Sequence, residues 1–166
     1  MNGKPEGHGQ YTWGHGSFYV GQFRGGLKHG KGKWKRSKEN NTNMYEGEYT
    51  NDKKNGYGEF TWASGNIYKG GYKNDEREGS GKMRWTDGST YEGDWVRGIQ
   101  HGKGKMTFPD GTTKEGYFEH NVFKGEKPPI IAKISPKKRG PLKSLSNTHN
   151  KNNKKSGTSN TKSKSK

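Results

Sequence analysis

The sequence predicts an all-β chain, one antiparallel meander of about ten short strands followed by a disordered basic tail. Three observations predict it. The large apolar residues are nearly all aromatic: 20 aromatics lie between Tyr11 and Phe123, and Leu27 is the only leucine in the first 127 residues. An aromatic-glycine pattern recurs at a fixed spacing, the mark of a repeat architecture. Within it, Tyr45-Glu46-Gly47-Glu48-Tyr49 and Gly56-Tyr57-Gly58-Glu59-Phe60-Thr61-Trp62 alternate with the period of a strand.

The elements follow in chain order. A half copy occupies 7–18, carrying Gly7 and Gly9. Full copies span 19–44, 45–67, 68–90 and 91–113, and a degenerate copy spans 114–127. Each full copy opens on Tyr-x-Gly-x-aromatic, as Tyr19-Gly21-Phe23, Tyr45-Gly47-Tyr49, Tyr68-Gly70-Tyr72 and Tyr91-Gly93-Trp95. Eleven residues after the tyrosine comes Gly-x-Gly, as Gly30/Gly32, Gly56/Gly58, Gly79/Gly81 and Gly102/Gly104. Successive copies start 26, 23, 23 and 23 residues apart, so the first carries a three-residue insertion near Lys38 to Asn43. Polar stretches such as Asn51 to Asn55 and Lys73 to Glu78 are expected to join the two strands of a hairpin. Ser64-Gly65, Asp87-Gly88 and Asp110-Gly111 supply positive-φ turns into the next copy.

Alternation places Tyr91, Gly93 and Trp95 on one face with Gly102, Gly104, Met106 and Phe108. A glycine in a strand removes the Cβ and lets a neighbouring ring lie on bare backbone, so one sheet can bury aromatic surface without a second layer. Gly47, Gly56, Gly58, Gly70, Gly79, Gly81, Gly93, Gly102 and Gly104 are therefore expected to be structural. Glu92 and Asp94 oppose Lys103 and Lys105 on the other face.

These residues, Tyr45-Glu46-Gly47-Glu48-Tyr49 before Gly56-Tyr57-Gly58 and Tyr91-Glu92-Gly93-Asp94-Trp95 before Gly102-Lys103-Gly104, resemble MORN repeats (membrane occupation and recognition nexus). The resemblance covers Gly7 to Gly125. Lys114 stands where a tyrosine is expected, and Lys127 where the last Gly-x-Gly should close. The resemblance implies an elongated, twisted, single-layer antiparallel sheet, dimerisation in some members, and scaffolding work in cilia, flagella and other cytoskeletal assemblies or at membranes.

Composition narrows the function. There is no cysteine, which excludes disulfides and thiolate metal sites. Met1 to Tyr11 contains no apolar run of the signal-peptide kind, so a cytoplasmic protein is expected. Glycine pairs followed by lysine, as in Gly30-Lys31-Gly32-Lys33, superficially suggest a phosphate loop. Their recurrence in every copy, without a strand-loop-helix context, makes them structural. His8, His29, His101 and His120 are dispersed beside the Gly-x-Gly marks, so no metal, cofactor or catalytic residue is expected.

The remaining candidates are binding surfaces. A single sheet leaves part of its aromatic face open, and an open apolar patch marks an interaction site. Tyr49, Trp62, Tyr72, Trp85 and Trp95 are the expected anchors for a protein partner. The net charge of +16 divides into +5 on 1–127 (21 Lys+Arg, 16 Asp+Glu) and +11 on 128–166, which has no acidic residue and no aromatic. The tail is expected to be disordered. Its Lys137, Lys138, Arg139, Lys154 and Lys155 are candidate tethers to an acidic surface, tubulin tails or anionic lipid. The leading reading is a non-catalytic scaffold of a ciliary or flagellar axoneme, radial-spoke-like, or of another cytoskeletal assembly, with a homodimer among its arrangements. The alternative is a peripheral membrane module using the tail and Lys31, Lys33, Lys82 and Arg84 on phosphoinositides. Nucleic-acid binding ranks last, because the basic run carries no ring to stack on a base.

Overall fold

A computed structural model describes residues 3–128. The expected disorder of the tail and its candidate tethers Lys137, Lys138, Arg139, Lys154 and Lys155 lie outside the described residues. Eleven strands form one open antiparallel sheet in strict chain order. They are β1 (Gly7–Thr12), β2 (Phe18–Arg24), β3 (Leu27–Lys35), β4 (Met44–Thr50), β5 (Lys53–Thr61), β6 (Ile67–Lys73), β7 (Glu76–Arg84), β8 (Thr90–Val96), β9 (Ile99–Thr107), β10 (Thr113–Glu119) and β11 (Val122–Gly125). Among the described residues no helix is long and apolar enough to cross a membrane.

The stretches expected as polar connections are mostly strand. Asn51-Asp52, Asn74-Asp75, Arg97-Gly98 and His120-Asn121 all have positive φ, which closes each hairpin in two residues. Such turns match the twist of the flanking strands, and Asn and Asp tolerate the left-handed region. Strand β5 therefore starts directly at Lys53 and β7 at Glu76. The turn side chains also bind the copy before: Asp52 Oδ1 accepts from the Lys28 amide, and Asp75 Oδ1 from that of Lys54, each at 2.9 Å. Turns into the next copy are wider, with positive φ at Gly16, Gly65, Gly88 and Gly111. The insertion in the first copy appears here, where β3 ends at Lys35 and β4 begins at Met44.

The core is one line of rings. Phe23, Tyr19, Tyr49, Tyr45, Tyr72, Tyr68, Trp95, Tyr91, Phe118 and Phe123 form an unbroken zigzag, each meeting the next edge-on with centroids 4.9–5.3 Å apart. Each such pair contributes about 0.5–1.5 kcal/mol beyond its buried area. The first-strand tyrosines are fully buried. Each lies along its own strand, and its hydroxyl donates to the carbonyl three residues on: Tyr45 to Glu48 at 3.1 Å, Tyr68 to Gly71 at 3.0 Å.

The two glycines of each pair do different work. The second is the ring seat: a Cβ on Gly58 would stand 2.3 Å from the Tyr45 hydroxyl, and one on Gly81 the same distance from that of Tyr68. Gly47, Gly70 and Gly93 face Gly58, Gly81 and Gly104 so closely that added Cβ atoms would meet the partner Cα at 2.5 Å. The first glycine of the pair is instead held by its backbone, with φ of 103° at Gly56, 74° at Gly79 and 105° at Gly102. These glycines mark bulges where pairing with the preceding strand shifts register.

Gly81→Ala must push the Tyr68 ring off its seat or break the strand pair. Denaturant unfolding is expected to show a loss of about 1–3 kcal/mol, the usual range for overpacking a tight site.

Candidate functional site

Cross-strand neighbours share a face, so the sheet has an aromatic side and a charged side. On the aromatic side the ring line closes the centre. Tyr49, Tyr72 and Trp95 keep only 4%, 6% and 2% of their surface exposed. Each is wedged between the first-strand tyrosines of its own copy and the one before, as Tyr49 is between Tyr45 and Tyr19. Three of the five expected anchors are therefore core residues whose rings are consumed by repeat packing.

Trp62 and Trp85 are placed differently. They follow β5 and β7 at the start of the wide turns, half-buried and packed against the core together with Trp34, Phe60 and Met106. No second layer among the described residues covers them. They form a half-open aromatic rim along one margin of the face.

The opposite margin carries a device that the sequence reading missed. Lys28, Lys54 and Arg77 stand nine residues after the tyrosine of their copies and lie over the rings. Lys54 Nζ is 5.7 Å from the Tyr45 centroid, and the Arg77 guanidinium is 4.4 Å from that of Trp95. Arg77 also donates to the Gly98 carbonyl of the next turn. Burial lowers its pKa, with Tyr72 and Tyr68 opposing that shift. A basic residue at this position in three copies was the available signal, and Gln100 replaces it in the fourth.

The charged side is largely self-neutralised. Lys33 pairs with Glu46 at 3.0 Å, Lys69 with Glu59 at 3.0 Å, Lys82 with Glu92 at 3.1 Å and Lys105 with Glu115 at 3.1 Å. These pairs are exposed, so each contributes at most about 1 kcal/mol. Of the basic residues considered for lipid, Lys33 and Lys82 are thus engaged, while Lys31 and Arg84 have no carboxylate partner among the described residues. Glu48 and Asp94 turn onto backbone, accepting from the amides of Tyr57 at 2.8 Å and Lys103 at 3.0 Å. An open trough of about 680 Å³ runs over this side, bordered by Val20, Lys31, Met44, Tyr57 and Glu59. Among the described residues no three His, Cys, Asp or Glu side chains converge as a metal site.

Burial raises the pKa of Tyr68 and of Tyr91 to about 12 from the ordinary 10.0, and pushes Tyr45, Tyr49 and Tyr72 upward as well. A phenol that releases its proton later when folded adds stability that is fully present below pH 10.0 and lost as pH rises through about 12. Alkaline titration is therefore expected to show phenolate absorbance from the core tyrosines appearing together with loss of the β circular-dichroism signal. Ionisation of all nine tyrosines while that signal persists would contradict this.

A family model described as MORN repeat matches residues 1–18, 19–39, 45–67, 68–90 and 91–113. Alsin from Mus musculus, Homo sapiens and Rattus norvegicus is 35% identical to this chain over 69 residues. That alignment covers 40% of the chain and 4% of alsin, so the similarity concerns a small segment of a far longer protein.

Proposed function

The chain belongs to the MORN-repeat family, and from that premise we propose that it is a non-catalytic scaffold, a component of a ciliary or flagellar axoneme, radial-spoke-like, or of another cytoskeletal assembly. MORN repeats are in general modules for binding proteins or membranes. The observation that carries the choice of a protein partner is the half-open rim of Trp62 and Trp85 beside a closed core. Rings held in place by neighbours lose little further entropy on contact, and tryptophan is enriched among the residues that carry binding energy. The cytoskeletal setting rests on the family resemblance.

Self-neutralisation of the charged side favours a protein partner over anionic headgroups, since pairing removes Lys33 and Lys82 from any field attracting lipid. Sedimentation with phosphoinositide-containing vesicles at physiological salt is expected to leave the chain in the supernatant. Lipid-dependent pelleting would replace the protein reading with the membrane one.

The test of the rim uses the Trp62→Ala/Trp85→Ala variant, checked for an unchanged circular-dichroism spectrum and compared with Trp85→Phe. Crosslinking in ciliated cells followed by mass spectrometry is expected to recover a cytoskeletal partner with the parent chain. The double variant should lose that partner by about tenfold or more, equivalent to about 1.4 kcal/mol. Equal recovery with a folded double variant would sink the rim as the binding surface.

A further inference from the structure

The sheet ends on an incomplete socket. Strand β1 is the second strand of a copy, with Gly7 and Gly9 as its glycine pair, and it pairs only with β2. Its other edge, which in every full copy receives the first strand of the same copy, is unpaired among the described residues. The chain before it keeps the course of a second strand: the Pro5 carbonyl accepts from the Gly26 amide at 3.0 Å, as that of Arg77 does from Gly98, and Glu6 Oε1 accepts from the Gly25 amide at 2.6 Å, as Glu78 does from that of Arg97.

Two observations show that a ring is missing and not merely a strand. At Gly58, Gly81 and Gly104 an added Cβ would strike the seated tyrosine within 2.4 Å, whereas at Gly9 the nearest atom is 3.7 Å away, on Phe23. The seat is bare. Phe23 is correspondingly half-buried, while its counterparts Tyr49, Tyr72, Trp95 and Phe118 are buried by a tyrosine from the preceding copy.

We propose that the outer edge of β1 is a docking site for an extended segment of another protein with the pattern Tyr-x-Gly-acid-aromatic. The four internal hairpins specify the tyrosine, glycine and aromatic of this occupant, and two of them, with Glu48 and Asp94, its acid. Its glycine would stand opposite Gly9, as Gly47 does opposite Gly58, and its tyrosine opposite Tyr11, as Tyr45 does opposite Phe60. The tyrosine ring then fills the Gly9 seat and meets Phe23 edge-on. The acidic residue follows from Glu48 and Asp94, which accept from the amide just after a left-handed glycine. Gly7 is such a glycine, with φ of 74°, which offers the His8 amide. Backbone pairing along an exposed edge supplies affinity, and the seat supplies selectivity.

No first strand among the described residues is free to be the occupant. Residues 129–166 contain no aromatic, and β2, β4, β6 and β8 are paired along both edges. The site is separate from the Trp62 and Trp85 rim, so either can fail alone.

The probe is a fluorescent peptide of the sequence Ser89–Arg97, titrated by anisotropy against the full chain. Saturable binding is expected, with amide exchange slowed in β1. Gly9→Ala has room for its methyl group in the free protein, so its melting temperature should match the parent's, yet it should weaken binding by about tenfold or more. Replacing Tyr91 by alanine in the peptide should do the same. No saturable binding, or binding indifferent to Gly9→Ala, overturns the proposal. A chain dimer that Gly9→Ala dissolves overturns it in favour of a second copy as occupant.

Discussion

A phenol ring lying on glycine backbone is the contact from which the rest of this sheet follows. A lone sheet in water exposes both faces, and ordinary strands cannot bury enough apolar area to offset the chain entropy they lose. Here Tyr45 lies along its own strand, covering Gly47 and reaching Gly58 on the next, with its hydroxyl tied to the Glu48 carbonyl. That posture needs two missing Cβ atoms and one polar tip. Phenylalanine would leave the carbonyl without its donor, and alanine at either glycine would collide with ring or neighbouring backbone.

Laying the first ring flat creates a place for the second. Tyr49, Tyr72 and Trp95 stand upright between successive flat tyrosines, and the alternation of flat and upright rings makes the line continuous across copies. Stability is therefore carried between neighbours, as in other repeat arrays. The cations over the rings and the Asn-Asp turns act at the same junctions: Asp75 binds the backbone of Lys54, whose ammonium group lies over Tyr72.

Much of this was legible in the sequence because the repeat states its constraints several times. The period, the strand alternation, the shared face of Tyr91, Gly93 and Trp95, and the all-β sheet all follow from residue spacing. Two features needed coordinates. The division of labour within Gly-x-Gly was hidden, since Gly56 and Gly58 read alike although one holds a left-handed backbone and the other a ring. The burial of Tyr49, Tyr72 and Trp95 was also hidden, because alternation assigns a face and says nothing of how completely neighbouring rings close over it. The role of Lys54 and Arg77 is hidden for a related reason: on a basic chain, a cation at a hairpin start looks like solubility, and only its distance to a ring shows otherwise.

A core that seals itself along the array restricts where such a protein can recognise anything. The central rings are spent on one another, and most charges on the other side are spent on cross-strand pairs. What stays available is geometric remainder: the turn-side rim, where Trp62 and Trp85 begin loops and have no upright ring beyond them, and the end of the array, where the repeat rule is left half satisfied at β1. At β11 the other end satisfies the rule differently. Lys114 replaces the flat tyrosine, and Phe118 and Phe123 close the ring line directly. There the repeat signature degenerates in the sequence, whereas Gly7 and Gly9 keep the full signature of a seat at the open end.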